Sequence, residues 1–531
     1  MADLCADVAI ACAEQGALVP ARLDRFQFAS YELAFAAAEL LAARALVGSA
    51  TAAVDRDLVP VFLAESLLSV VGRLETVARE IGRALPAWRA DSWLGELLYA
   101  TTAGPIDRVG EAVIRRCGDV GSIDLPEDAA MAAEAFGRFA RDRVAPLAED
   151  IHRHDLTVPE TILGPMREMG LFGLSVPARY GGSAPDEGED TIGMIAVTEA
   201  LSAASLAAGG SLITRPEILT RALLAGGTER QKEAWLPRLA IGKPLCAIAI
   251  TEPDFGSDVA ALQLRATQVD GGWRLDGTKT WCTFAGKAGV LMVVARTGEG
   301  AGHRGLSLLL AEKPSVDGHA FDHAQDGGGR ITGKAIPTIG YRGMHSFDVA
   351  FDGYVVPDAN VIGEEQGLGC GFYLTMTGMT GGRIQTAARA CGVMRAALDA
   401  SARYVADRRV FGAALGDYQL TRVKLARMAA RFAACRFMAY HVGRMLNAGG
   451  GQMEASLVKL FTCRSAEIVT REALQLHGGM GYAEESAVSR YFLDARVLSI
   501  FEGAEETLAL KVVARALLQR ALDGQQQEAF P

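Results

Sequence analysis

The stretch Ile250-Thr251-Glu252-Pro253-Asp254-Phe255-Gly256-Ser257-Asp258 marks where the chain changes character. Upstream, residues 1–122 are rich in Ala and Leu at helical spacing, and 125–245 read as helical too, for example over 127–148 and 193–208. From 244 onward come short runs of β-branched and apolar residues: 244–251, 265–270, 273–276, 290–296 and 305–311. Gly271-Gly272 and Asp276-Gly277 supply turn signals between them, so a compact antiparallel β unit is predicted, ending near Pro357. Beyond Gly367 long helical patterns return over 382–410, 418–447, 452–475 and 504–522. Leu457, Leu460, Phe461 and Ile468 are spaced for one buried face. The expected class is mostly α with a central β domain. Its divisions are an N-terminal helical extension (1–122), a helical domain (123–245), a β domain (246–362) and a C-terminal four-helix bundle (363–531).

Composition narrows the function. Of 531 residues, 50% are hydrophobic, ample for buried cores and against disorder. The net charge of −10 leaves no basic excess for a nucleic-acid backbone. Apolar runs such as 245–250 and 290–295 fall short of the ~18 residues of a membrane span. Asp3 and Asp7 do not suit a secretory start, and nine cysteines without a CxxC suit neither a disulfide framework nor zinc. His152 and His154 lack any HExxH context, so no metal is expected. The expectation is a cytoplasmic protein that binds neither nucleic acid nor membrane.

Two phosphate-loop look-alikes fail on chemistry. Gly328 to Lys334 has GxxxxGK spacing, but Ala335 stands where a Ser or Thr would hold magnesium, and Ile336-Pro337 does not open a helix. Gly367-Leu368-Gly369-Cys370-Gly371 is not GxGxxG and follows no strand–turn–helix unit, which disfavours a nicotinamide enzyme.

At 250–258, a strand end followed by a Pro turn and Gly256-Ser257-Asp258 offers N–H and hydroxyl donors suited to a planar, acceptor-rich ligand such as an isoalloxazine ring. It also reads as an ordinary loop capped by Ser257 and Asp258. Trp281-Cys282-Thr283 could flank a flavin or be a plain strand pair. In Ile500-Phe501-Glu502-Gly503-Ala504-Glu505-Glu506, Glu502 sits among apolar neighbours, which favours a general base. The alternative is an acidic helix start, which fits Glu505 and Glu506 better.

Taken together, Thr251-Glu252-Pro253 with Gly256-Ser257-Asp258, Trp281-x-Thr283, Arg408-Arg409-Val410-Phe411-Gly412 with Gln419, Gln475-x-x-Gly478-Gly479 and Phe501-Glu502-Gly503 resemble the acyl-CoA dehydrogenase family over about 125–522. The resemblance implies FAD bound by Ile250, Thr251, Gly256, Ser257, Trp281 and Thr283. Arg408, Phe411, Gln419, Gln475 and Gly479 would reach the FAD of a neighbouring subunit, which implies a homo-oligomer, at least a dimer. Ala504 and Glu506 stand where the family usually has Thr and often Gln.

The resemblance also implies the reaction. Glu502 takes the α-proton of an acyl-CoA while the flavin accepts hydride from the β-carbon, and electron-transfer flavoprotein takes the electrons. Some relatives carry the base on a bundle helix, at a position held here by Gly382, which has no side chain to serve. Gly382 to Arg389, Gly340 to Met344, Ile500 to Ala504 and the extension resemble the branch of the family acting on (2S)-methylsuccinyl-CoA, which implies mesaconyl-CoA as product. For that substrate's carboxylate, Arg215 with Thr214 is the expected cradle, with Ser257 and Arg383 as further substrate contacts. The rivals are an acyl-CoA oxidase using oxygen, a dehydrogenase of another short-chain acyl-CoA, and a flavin-binding relative without activity.

Overall fold

The computed structural model of the chain describes residues 1–84, 92–99, 102–298, 300 and 302–524. It divides into two units, one of residues 1–127 with 386–531, the other of residues 128–385.

In the first unit, the extension contributes the helices Ala2–Cys12, Gln27–Ser49, Ala53–Glu80, Ser92–Tyr99 and Ala103–Arg115. They pack on Gln419–Asn447, Gln452–Leu476 and the closing segment Leu508–Ala514 with Arg515–Leu522. Leu4, Val8, Leu33, Val70, Leu74 and Leu518 share one buried core, so the two chain ends are sealed together by apolar burial. The alanine run of Gln27–Ser49 (Ala34, Ala36, Ala37, Ala38) is fully buried. Gly110 lets Ala103–Arg115 lie close on Gln419–Asn447, because a Cβ there would meet the Arg422 carbonyl oxygen at 2.1 Å. Asp55, fully buried, accepts from the Gly121 and Ser122 amides at 2.6 and 2.9 Å.

The second unit joins helices, including Thr191–Ala204, Thr214–Gly226 and Glu229–Ala240, to an eight-stranded sheet. Its strands are β1 (Cys246–Ala249), β2 (Arg265–Val269), β3 (Gly272–Thr283), β4 (Val290–Arg296), β5 (Leu306–Glu312), β6 (Ala320–Ala324), β7 (Arg330–Ala335) and β8 (Ser346–Pro357). They run in the order β1-β4-β2-β3-β8-β7-β6, with β5 also on β4. Pairing is antiparallel except where β4 meets β1 and β2. Val290, Met292 and Val294 pack with Leu223, Trp235 and Leu239, while Leu291 and Val293 pack with Leu275 and Val349. A strand covered on both faces has no polar alternation, which explains the continuous apolar run at 290–295.

Several expectations shift. The helix expected over 382–410 is Gly371–Asp407, and a further helix, Ala487–Leu498, follows the bundle's Gln452–Leu476. Three strands, β6 to β8, lie beyond the last run expected from sequence, and the GxxxxGK look-alike is β7 itself. Leu457, Leu460 and Phe461 are buried as expected, but Ile468 is 40% exposed. Its spacing belongs to the flank of that helix rather than its core face.

Candidate active site

Glu502 sits on the turn between Ala487–Leu498 and the helical segment starting at Glu505. Its backbone is left-handed, φ 54°, uncommon for a residue with a side chain. Gly503 follows at φ 102°, and a Cβ there would meet Leu508 Cδ2 at 2.9 Å. The turn is fixed from several sides. Glu505 N–H donates to Ser499 O, Ser499 Oγ donates to Glu467 Oε1 at 2.5 Å, and buried Lys459 donates to Gly503 O at 2.5 Å.

The Glu502 side chain keeps a tenth of its surface exposed. Its Oε2 accepts from Thr386 Oγ1 at 2.6 Å and from Arg389 Nη2 at 2.8 Å, and Arg389 also donates to Thr386 Oγ1 at 2.7 Å. The Arg389 guanidinium lies 4.8 Å from the Phe501 ring centroid. Neither partner is marked as a site residue by the sequence. The one trace in the sequence is weak: Arg389 is the single charge in the otherwise small and apolar run 387–394.

Three residues further on, Glu505 accepts from Tyr31 Oη at 2.7 Å and is also bonded to Arg464, whose guanidinium lies 4.0 Å from the Phe35 ring centroid. The extension therefore touches the turn that carries Glu502. In the same unit, Arg408, Phe411, Gln419, Gln475 and Gly479 are all exposed. Phe411 is 99% exposed at the tip of the hairpin Arg409–Val410 with Ala413–Ala414, and its φ of 48° is again left-handed.

In the second unit the 250–258 stretch is held by a buried ion pair. Lys279 Nζ donates to Glu252 Oε1 at 2.7 Å and to Ile250 O at 2.9 Å, while Glu252 accepts from the Gln263 and Leu264 amides at 2.7 and 2.8 Å. Burial pulls Lys279 below the usual lysine range, and Glu252 opposes that shift. So Glu252 is a strut that leaves Ile250 and Thr251 half-buried and Gly256 and Ser257 exposed. Trp281, at φ 57°, shows half its surface on β3, and Thr283 Oγ1 meets Ser346 Oγ at 2.9 Å.

Arg215 and Thr214 open the helix Thr214–Gly226, both buried. Arg215 Nη1 donates to Ser211 O at 2.9 Å, and the Thr214 hydroxyl has no hydrogen-bond partner among the described residues. Arg383 is half-buried, and desolvation lowers its proton affinity.

Two other features of this unit compete for attention. A cavity of about 690 Å³ lies at the Pro244 end of β1, the opposite end of that strand from Ile250. Of its cations, Arg167 pairs with Glu160, Arg238 with Glu312 and Lys287 with Asp317, while Lys313 donates to the carbonyls of Gly286, Ala288 and Pro314. Asp155, His319 and His345 bring ligand atoms within 4.8 Å of one another. There His345 Nε2 already meets Asp155 at 3.0 Å and Arg342 stands 3.6 Å from the same oxygen, supplying the positive charge a metal would bring.

Family models for acyl-CoA dehydrogenase N-terminal, middle and C-terminal domains match residues 126–243, 247–354 and 369–518. A (2S)-methylsuccinyl-CoA dehydrogenase of Cereibacter sphaeroides is 41% identical over 401 residues, 75% of this chain and 71% of that protein. The chain belongs to the acyl-CoA dehydrogenase family. Among solved structures, the butyryl-CoA dehydrogenase of Megasphaera elsdenii superposes with a TM-score of 0.68 at 29% identity, covering 75% of this chain and all of that one. A glutaryl-CoA dehydrogenase of Mycobacterium smegmatis, in complex with FADH2, gives 0.64 at 26% identity over 74% and 95%. Membership makes this chain an FAD-dependent oxidoreductase of the α,β-dehydrogenating type. Among the described residues, no helix is long and apolar enough to cross a membrane, and no disulfide joins the nine cysteines.

Proposed function

We propose that this acyl-CoA dehydrogenase converts (2S)-methylsuccinyl-CoA to mesaconyl-CoA, with Glu502 as the base that removes the α-proton. The observation that carries the chemistry is the presentation of Glu502. A carboxylate in a left-handed turn, fixed by Arg389, Thr386 and the Lys459-braced Gly503, is a pre-organised proton acceptor. The backbone N–H of Glu502 is the donor expected to polarise the thioester carbonyl. The substrate reading rests on the Cereibacter sphaeroides relative.

FAD, when bound, supplies the hydride acceptor. The residues present suit it: the half-exposed Trp281 ring, the 250–257 edge of the β unit with its Thr251 and Ser257 hydroxyls, and Thr283. On a neighbouring copy, exposed Arg408 would pair with the pyrophosphate, beside Phe411, Gln419, Gln475 and Gly479. Phe411, fully exposed at the hairpin tip beside exposed Arg408, is open to the FAD of a neighbouring copy, the arrangement of a homo-oligomer of at least two chains. For the substrate's carboxylate, Arg215 is the cation, and the unpartnered Thr214 hydroxyl is a donor waiting for an oxygen. Ser257 and Arg383 complete the substrate contacts. Electron-transfer flavoprotein is the acceptor, and the cytoplasm is the compartment that suits nine cysteines without a disulfide. The four divisions at 1–122, 123–245, 246–362 and 363–531 are kept as functional domains.

The test is an anaerobic titration of the yellow protein with methylsuccinyl-, isobutyryl-, butyryl- and glutaryl-CoA. Bleaching by the first at the lowest concentration is expected. Equal bleaching by butyryl-CoA would overturn the substrate, and rapid peroxide formation in air without the flavoprotein acceptor would make the enzyme an oxidase.

A further inference from the structure

A fully buried arginine is costly unless a partner repays its desolvation. Arg389 has no exposed surface, and the partner it reaches is the carboxylate assigned to the chemistry. Arg389 and Thr386 stand three residues apart on Gly371–Asp407, hence on one face of that helix. The Thr386 and Arg389 bonds end on the same oxygen, Oε2, so a guanidinium and a hydroxyl together orient the carboxylate. The Phe501 ring under the guanidinium keeps it from swinging away.

An anion this buried is disfavoured when alone, and an opposite charge at 2.8 Å favours its ionised form. Other titratable groups around the turn have separate engagements. Lys459 bonds Gly503 O, Cys463 feels both Lys459 and Arg389, Arg464 and Tyr31 hold Glu505, and Glu467 accepts from Ser499.

We propose that Arg389, with Thr386, is the positioning residue of the base: it fixes which carboxylate oxygen faces the substrate's α-carbon and keeps Glu502 ionised to receive the proton. This rests on Glu502 being the base. An ion pair that merely held the fold would stabilise the protein without setting the pH at which the α-proton leaves.

The test follows that proton directly. Holoenzyme in D2O is mixed with a short 3-thia acyl-CoA, which has no β-carbon hydride to lose, and α-proton exchange is read by mass spectrometry from pH 5 to 9. Removing the charge in Arg389→Gln should move the acid limb of exchange upward by about one to three pH units and slow exchange at pH 7 about tenfold or more. Arg389→Lys should keep the limb within a few tenths of a unit. A wild-type limb and rate in Arg389→Gln would overturn the proposal. If that variant does not fold, Thr386→Val decides. Slower exchange restored by Thr386→Ser supports the clamp, and a wild-type rate overturns it. Glu502→Gln separates the two readings: exchange surviving there would sink the base assignment itself, whatever Arg389 does.

Discussion

Glu502 and Glu505 lie three residues apart, and each carboxylate is held by an arginine and a hydroxyl. The resemblance ends there. Glu502, in a left-handed backbone, bonds Thr386 and Arg389 of one helix of the bundle. Glu505 opens the next helical segment, takes its hydroxyl from Tyr31 of the N-terminal extension, and serves as a strut. The same pairing chemistry holds the proposed base in one setting and a brace in the other. What separates them is the conformation of the turn and the origin of the hydroxyl. The extension therefore supports the turn that carries Glu502.

The largest effect should separate the pair by activity. Turnover with an artificial dye acceptor should fall about 100- to 10,000-fold in Glu502→Gln, the share of rate a positioned base supplies. Glu505→Gln should stay within a few-fold of wild type. A comparable loss in both would erase the distinction. Stability should reverse the order of interest: Glu505→Gln loses a charged hydrogen-bond pair worth about 1–3 kcal/mol and should lower the thermal midpoint.

Much of this was legible before any coordinates. The helix-to-strand change at 250–258 and the apolar run at 290–295 carried enough pattern to place the β unit. β7 escaped because Gly333 takes its second inward position, leaving Ile331 as the single large apolar residue of 330–334 to mark the alternation of a strand. Glu502 stood out by its neighbours. Arg389 did not, because local sequence cannot tell a buried helix arginine from a surface one until its partner, more than a hundred residues away, is in place. Tyr31 was still less visible, since its role depends on how the extension docks on the bundle.

A smaller effect tests the extension's reach. Tyr31→Phe removes one hydroxyl and should cost about 0.5–1.5 kcal/mol, seen as a lower denaturation midpoint, with flavin content unchanged. No change in midpoint would mean the Tyr31–Glu505 bond adds nothing beyond packing.

The last effect is confined to acid pH and concerns a carboxylate whose cation stands off. Asp399, with Arg395 at 4.0 Å, is pushed up to about 6 by burial. Its folded form binds a proton more tightly than the unfolded chain, so this contribution to stability is present at low pH. It is lost as pH rises from about 4 to about 6. Asp399→Asn should flatten the stability profile across that window. A profile parallel to wild type would show that desolvation of Asp399 does not shape stability across that window.

The most direct measurement is the anaerobic visible spectrum of the FAD-loaded protein on adding (2S)-methylsuccinyl-CoA, wild type beside Glu502→Gln. The wild type should bleach within the mixing time while the variant stays yellow with the ligand bound. Bleaching of Glu502→Gln at the wild-type rate would contradict the account.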